Sequence, residues 1–234
     1  MPRRPAAGQR PHAARQRPGA AGERPGAARG TSPPPQAAAV FGECLPTAAA
    51  YAAMLATAGV AHGLIGPREV PRLWERHLLN CAAVADLVPQ GCRTLVDIGS
   101  GAGLPGIVLA MMLPGVRVIL LEPAERRCRF LAECVSTLRL RNAAVLRGRA
   151  EDAPVRADVA TARAVAPLGR LAGLAVAVVG PGGMVLAIKG RTAAQELSSA
   201  GPALRRIGAR NAEVVRAGHG KVFPATTVVR FFAS

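Results

Sequence analysis

Lysine is nearly missing from this 234-residue chain: 28 of its 30 basic residues are arginine, leaving Lys189 and Lys221. Aromatic residues make up only 3%. The arginine bias comes with abundant alanine, glycine and proline, the mark of a GC-rich genome rather than of a function. The five cysteines (Cys44, Cys81, Cys92, Cys128 and Cys134) are odd in number and form no C-x-x-C pair. That pattern argues against a disulfide framework or a zinc ribbon, so reduced thiols and no metal are expected. No unbroken apolar run reaches the roughly 20 residues of a membrane span. The run 171–179 is interrupted by Gly173 and ends at Gly180-Pro181. A soluble chain is expected. Acidic residues number only 14, for a net charge of +16, which favours a polyanionic partner because each phosphate contact releases a counterion.

Residues 1–38 hold seven arginines, one acid (Glu23) and frequent proline and glycine, with almost no large apolar side chain. This composition predicts a disordered tail. Arg3-Arg4 has no apolar stretch behind it, and the Pro-Gly pairs oppose a transit helix. Without the tail the chain is still at +10. Residues 39–90 read as a helical segment, with one helix over 47–58 and a second starting near Pro67 or Pro71. In the second, Leu73, Trp74, His77, Leu78, Cys81 and Val84 recur at helical spacing.

From residue 91 the pattern becomes α/β. Strands are predicted over 94–98, 116–122, 142–147, 158–163 and 184–189, with helices over 104–113, 123–139, 167–179 and 192–207 between them. Such alternation implies right-handed crossovers and a mostly parallel sheet. Two last strands, near 211–215 and 226–232, are read as an antiparallel pair at the edge.

The first strand runs into Asp97-Ile-Gly-Ser-Gly-Ala-Gly-Leu-Pro-Gly106. Gly99, Gly101, Gly103 and Gly106 permit left-handed backbone and close ligand approach, and ligands in open α/β sheets bind at such strand ends. The turn therefore holds a nucleoside cofactor. Gly101 to Gly106 also satisfies the dinucleotide pattern G-x-G-x-x-G. Asp97 separates the two cofactor classes: its carboxylate can take the turn's N–H groups or a cofactor ammonium, but is a poor neighbour for a pyrophosphate. Glu122, at the end of the second strand, can accept from ribose hydroxyls in either class. The balance favours S-adenosylmethionine, with a dinucleotide-dependent oxidoreductase as the rival.

The same run closely resembles the first motif of the RsmG (GidB) family. Further blocks follow in order: Arg76-His77-Leu-Leu, Leu120-Leu-Glu-Pro123, Arg126-Arg-Cys-Arg-Phe-Leu131, Arg147-Gly-Arg-Ala-Glu151, Thr161-Ala-Arg-Ala164 and Leu186-Ala-Ile-Lys-Gly190. The resemblance spans about residues 41–230. It implies a class I, Rossmann-like methyltransferase fold with a seven-stranded sheet, an antiparallel edge strand and an N-terminal helical extension. It also implies S-adenosylmethionine as cofactor and methylation of N7 of one guanine in 16S ribosomal RNA, with action on another substrate as the alternative. By the same resemblance Gly99 and Leu104 would line the methionine and ribose, Ala150 and Glu151 would flank the adenine, and Arg163 would face cofactor and guanine. A cytoplasmic monomer acting on 16S RNA or the small subunit, away from membranes, is the expectation. Asn80-Cys81 departs from the Asp-Ser of many relatives, and Glu122 stands where many carry Asp.

Guanine N7 presents a free lone pair, so no general base is needed, and none is assigned. Lys189 and His77 are candidates for RNA contact beside Arg163. Each has a plainer alternative, a solvated charge for Lys189 and a packing histidine for His77. Arg126, Arg127 and Arg129, with Glu125 and Glu133 nearby, read as a solvated, partly ion-paired face. The stripe Arg139, Arg141, Arg147 and Arg149 reads as the better RNA surface. With few aromatics, base stacking falls to groups such as Phe223 or arginine planes.

Overall fold

The computed structural model describes residues 31–218 and 220–234. Seven strands form one sheet: β1 (Thr94–Ile98), β2 (Arg117–Glu122), β3 (Ala143–Arg147), β4 (Ala157–Arg163), β5 (Val179–Lys189), β6 (Arg210–Ala217) and β7 (Thr226–Phe232). Their order is β3-β2-β1-β4-β5-β7-β6. The first five run parallel, and β7 is antiparallel to both β5 and β6. The reversed strand is thus second from the edge, and β6 lies outside it.

Both faces of the sheet are covered, which is why its strands read as nearly continuous apolar runs. Leu95, Val159, Leu186 and Val228 face one core, and Val96, Ala160, Val185 and Val229 face the other, following the period of two along each strand. The first core takes α4 (Gly106–Met112) and α5 (Glu125–Thr137). The second takes α6 (Leu168–Val176) and α7 (Ala193–Arg206).

The N-terminal helices also pack into the first core. They are α1 (Pro35–Phe41), α2 (Leu45–Met54) with a π-helical continuation Leu55–Gly59, and α3 (Leu79–Ala82), preceded by the π turn Leu73–Leu78. Phe41, Tyr51, Leu55, Leu73 and Leu78 share this core with Leu95 and Leu109.

Two expectations are corrected here. The predicted disordered tail reaches too far, because residues 35–38 belong to α1 and Thr31 is buried, its carbonyl accepting from Trp74 Nε1 at 2.8 Å. The rest of that prediction, residues 1–30, lies outside the described residues. Secondly, the helical run Pro35–Gly59 is long and apolar enough to cross a membrane, with a mean hydropathy of 1.3 in its most apolar window. Ten of its 25 residues are alanine, which raises hydropathy without an unbroken run of large side chains. Gly42, at φ +51°, turns the chain between α1 and α2.

Strand order reverses at β1, which pairs with β2 on one side and β4 on the other. Such a reversal opens a crevice at the carboxyl ends of the strands. Asp97, Glu122 and Arg163 sit at or next to those three ends.

Candidate cofactor and substrate site

Gly99, Gly101 and Gly103 follow β1 at φ +63°, +58° and +95°, values that side-chain-bearing residues rarely adopt. Gly106 answers a different need. A Cβ there would lie 2.3 Å from Leu120 Cδ2 and 2.6 Å from Asp97 Oδ2, so α4 can begin against the sheet only with glycine at this position.

Two carboxylates close the turn. Asp97 Oδ2 accepts from the Gly106 N–H at 2.9 Å. Glu122 Oε2 accepts from the Gly101 N–H at 2.9 Å, and its Oε1 from the Ala124 N–H at 3.0 Å. A pyrophosphate on this turn would compete for those N–H groups and face two acids, which argues against the dinucleotide rival. Asp97 is fully buried, and its Oδ1 has no hydrogen-bond partner among the described residues. Burial pushes its carboxyl up to about 7, against the pull of the Gly106 N–H and the Arg163 charge.

Two clefts meet at the turn. The first, of about 260 Å³, has apolar walls from Ile98, Leu121, Ala150, Val165 and Leu174, with Glu122 and Glu151 also lining it. The second, of about 300 Å³, is lined by Ser100, Gly101, Leu104, Glu69, His77 and Arg163. Gly99, Arg127 and Ala164 border both.

Arg163 is held from several directions. Its Nη1 donates to the Arg76 carbonyl at 3.3 Å and to Cys81 Sγ at 3.7 Å, and its Nη2 donates to His77 Nδ1. With Nδ1 accepting, the imidazole proton sits on Nε2, which donates to Glu69 Oε2 at 2.9 Å. Burial and the Arg163 charge hold the His77 imidazole below its usual value. The hydrogen bond from His77 holds the Glu69 carboxyl low. Burial keeps the Cys81 thiol protonated, pushed up to about 11.

The chain matches the family described as rRNA small subunit methyltransferase G over residues 45–221. The chain belongs to this family. It is 58% identical over 193 residues to the ribosomal RNA small subunit methyltransferase G of Thermobifida fusca, covering 82% of this chain and 81% of that protein. It is 53% identical over 202 residues to the protein of the same name from Streptomyces avermitilis, covering 84% of each. Among solved structures, a SAM-dependent methyltransferase from Aquifex aeolicus superposes with a TM-score of 0.53 at 19% identity, over 70% of this chain and 94% of that one. A putative methyltransferase from Methanococcus maripaludis gives 0.53 at 13%, over 75% and 90%. These two likenesses speak to the fold alone.

S-adenosylmethionine is the cofactor of the rRNA small subunit methyltransferase G family, and the residues present fit it. Asp97 Oδ1 has no hydrogen-bond partner among the described residues, which suits a water that carries an ammonium. Asp97 itself is fully buried beneath the turn and lines neither cleft. The apolar walls of the first cleft suit a flat base, and Glu122 beside them has lone pairs left for a ribose diol.

Of the residues singled out in the sequence, Gly99 borders both clefts. Ala150, Glu151 and Glu122 line the first, and Gly101, Leu104, His77 and Arg163 the second. Lys189 lines neither. Its ammonium donates to Glu196 Oε2 at 2.7 Å and to the Ala166 carbonyl at 3.1 Å, binding β5 to α7 and to the loop before α6. Nor is the arginine stripe one surface. Arg139 and Arg141 precede β3, whereas Arg147 and Arg149 stand at its far end, with Arg147 paired to Glu125 at 3.0 Å. Arg127, read as part of a solvated face, borders both clefts with its Nη1 3.7 Å from Glu122 Oε1.

Two residues that shape the site escaped the sequence reading. Glu69 carried no motif of its own. Tyr51 sits in an alanine-rich helix yet donates its hydroxyl proton to the Ala102 carbonyl, 2.6 Å away inside the turn. A lone tyrosine in such a helix was the only signal. Among the described residues no group of three His, Cys, Asp or Glu is arranged to hold a metal.

Proposed function

We propose that this enzyme transfers the methyl group of S-adenosylmethionine to N7 of one guanine in 16S ribosomal RNA. The observation that carries the reading is Arg163, fixed by His77 and the Arg76 carbonyl in a cleft that shares its wall with the cofactor cleft. The cofactor supplies an electrophilic methyl on a sulfonium. Asp97 and Glu122 hold the turn and the nucleoside, Ala150 and Glu151 flank the adenine, and Gly99 keeps the shared wall thin. Arg163 orients the guanine. The N7 lone pair is free at neutral pH, so the chain's contribution is alignment rather than proton removal. Family membership supports the RNA substrate, as does the +16 charge. His77 acts on the base through Arg163. Lys189, ion-paired to Glu196, is left out of the substrate site. Phe41, Tyr51 and Leu55 pack into the core with the sheet, which supports a place for this helical run inside the fold. A cytoplasmic monomer working away from membranes is part of the same proposal.

Two measurements test this. S-adenosylhomocysteine should raise the melting temperature and NAD should not. Ribosomal RNA from a strain lacking the protein should miss one N7-methylguanosine and regain it on complementation. Unchanged modification in that strain would remove the substrate assignment.

A further inference from the structure

S-adenosylmethionine carries no phosphate, yet three arginines stand around the cleft assigned to its adenosine. Arg127 comes from α5, Arg149 from the loop after β3 and Arg170 from α6. All three are exposed. No ion pair or side-chain hydrogen bond among the described residues engages Arg149 or Arg170, and Arg127 has only the 3.7 Å contact with Glu122. None of the three guanidiniums is held in a close ion pair among the described residues, and they come from three elements to one mouth. Arg127 also borders the second cleft, where Arg163 lies. A strand that delivers a base there must pass Arg127 with its phosphates.

We propose that Arg127, Arg149 and Arg170 form a phosphate-binding rim, which draws the RNA flanking the target guanine across the mouth of the cofactor cleft. The inference rests on the ribosomal RNA reading above. RNA lying over that mouth covers the exit of the cofactor, so bound RNA slows its dissociation. Arginine suits the task because its planar fork grips phosphate oxygens in pairs.

The test uses the full chain and a 16S RNA fragment that the wild type methylates. Binding is measured from low to moderate salt for wild type, for Arg149→Gln/Arg170→Gln, and for Arg139→Gln/Arg141→Gln at the other end of β3 as a charge-matched control. Each phosphate contact on single-stranded RNA contributes about 0.7 to the slope of log affinity against log salt. The rim variant should lose about 1.4 of that slope, and the control should lose less. A second readout is S-adenosylhomocysteine release, which RNA should slow for wild type and much less for the rim variant. An unaltered melting temperature confirms that the variants fold. If the wild type methylates the RNA while the rim variant keeps the full slope, or the control loses as much, the rim is wrong and the functional reading stands. If the wild type modifies no ribosomal RNA, the functional reading falls and takes the rim with it.

Discussion

Asp97 resists ionisation inside the fold. Its carboxyl is raised from 3.8 to about 7 by burial. Between those two values the folded protein keeps a proton that the unfolded chain has released. Its contribution to stability is therefore complete below about 4 and lost as pH rises through about 7. A cofactor ammonium bridged to Oδ1 by a water would favour the carboxylate, so binding below pH 7 should expel a proton, and calorimetric heats should then depend on the buffer's ionisation enthalpy. Asp97→Asn keeps an acceptor for the Gly106 N–H but removes the charge. It should weaken S-adenosylhomocysteine on the order of tenfold or more, the scale of a charged hydrogen bond, while the ligand-free protein melts no lower above pH 7. Heats that ignore the buffer would contradict this account.

His77 behaves in the opposite sense. Its value is pulled below 6.5, by burial first and by Arg163 second. Its contribution to stability is present above 6.5 and lost as pH falls through the depressed folded value. Protonation would put an imidazolium against the Arg163 guanidinium. Activity at saturating cofactor should decline on acidification, and His77→Gln should flatten that decline. An NMR titration that finds His77 at or above 6.5 would count against the linkage. The chain signalled His77 by its neighbours Arg76 and Leu78, but not its task. That depends on Glu69 and Arg163, which only the tertiary fold brings to its two ring nitrogens.

The glycine turn is the element on which both clefts depend, and its tightest point is Gly106. Gly106→Ala would drive a methyl into Leu120 and the Asp97 carboxylate. Overpacking of this kind costs about 1–3 kcal/mol. Cofactor binding should fail as well, because the carboxylate must move; a denaturant titration and a thermal shift would register the two effects separately. Strands with both faces buried were legible to the residue. β1 and β7 have the predicted bounds, each a short cluster of branched or aromatic apolar residues in which few polar positions interrupt. β5 was misjudged at its start. Gly180-Pro181-Gly182-Gly183 reads as a turn, yet β5 begins at Val179, and the register with β4 shifts between Ala157 and Val159 to absorb the extra residues. The N-terminal helices were seen as helical but not as alternating π and 3-10 turns, since that geometry is set by packing rather than by spacing. Arg127 is exposed and ion-paired as read, but its partner is Glu122, while Glu125 pairs with Arg129 and Arg147.

At the scale of the whole molecule, a basic chain opens two clefts at the carboxyl edge of its sheet. The helical segment on one face is more than a cover. Tyr51 reaches from α2 to the Ala102 carbonyl, and its hydroxyl would also meet any Cβ at Gly103, 2.8 Å away. Removing the hydroxyl with Tyr51→Phe should cost about 1 kcal/mol of stability, the net worth of one buried hydrogen bond, and loosen the cofactor several-fold. Unchanged affinity would mean that the turn holds its shape unaided. Because one phenol joins the helical layer to the turn, the layer cannot open without releasing the turn, and a filled cleft must resist both. Amide hydrogens in α2, which touch no ligand, should therefore exchange more slowly once S-adenosylhomocysteine is bound, in step with those of the loop between β1 and α4.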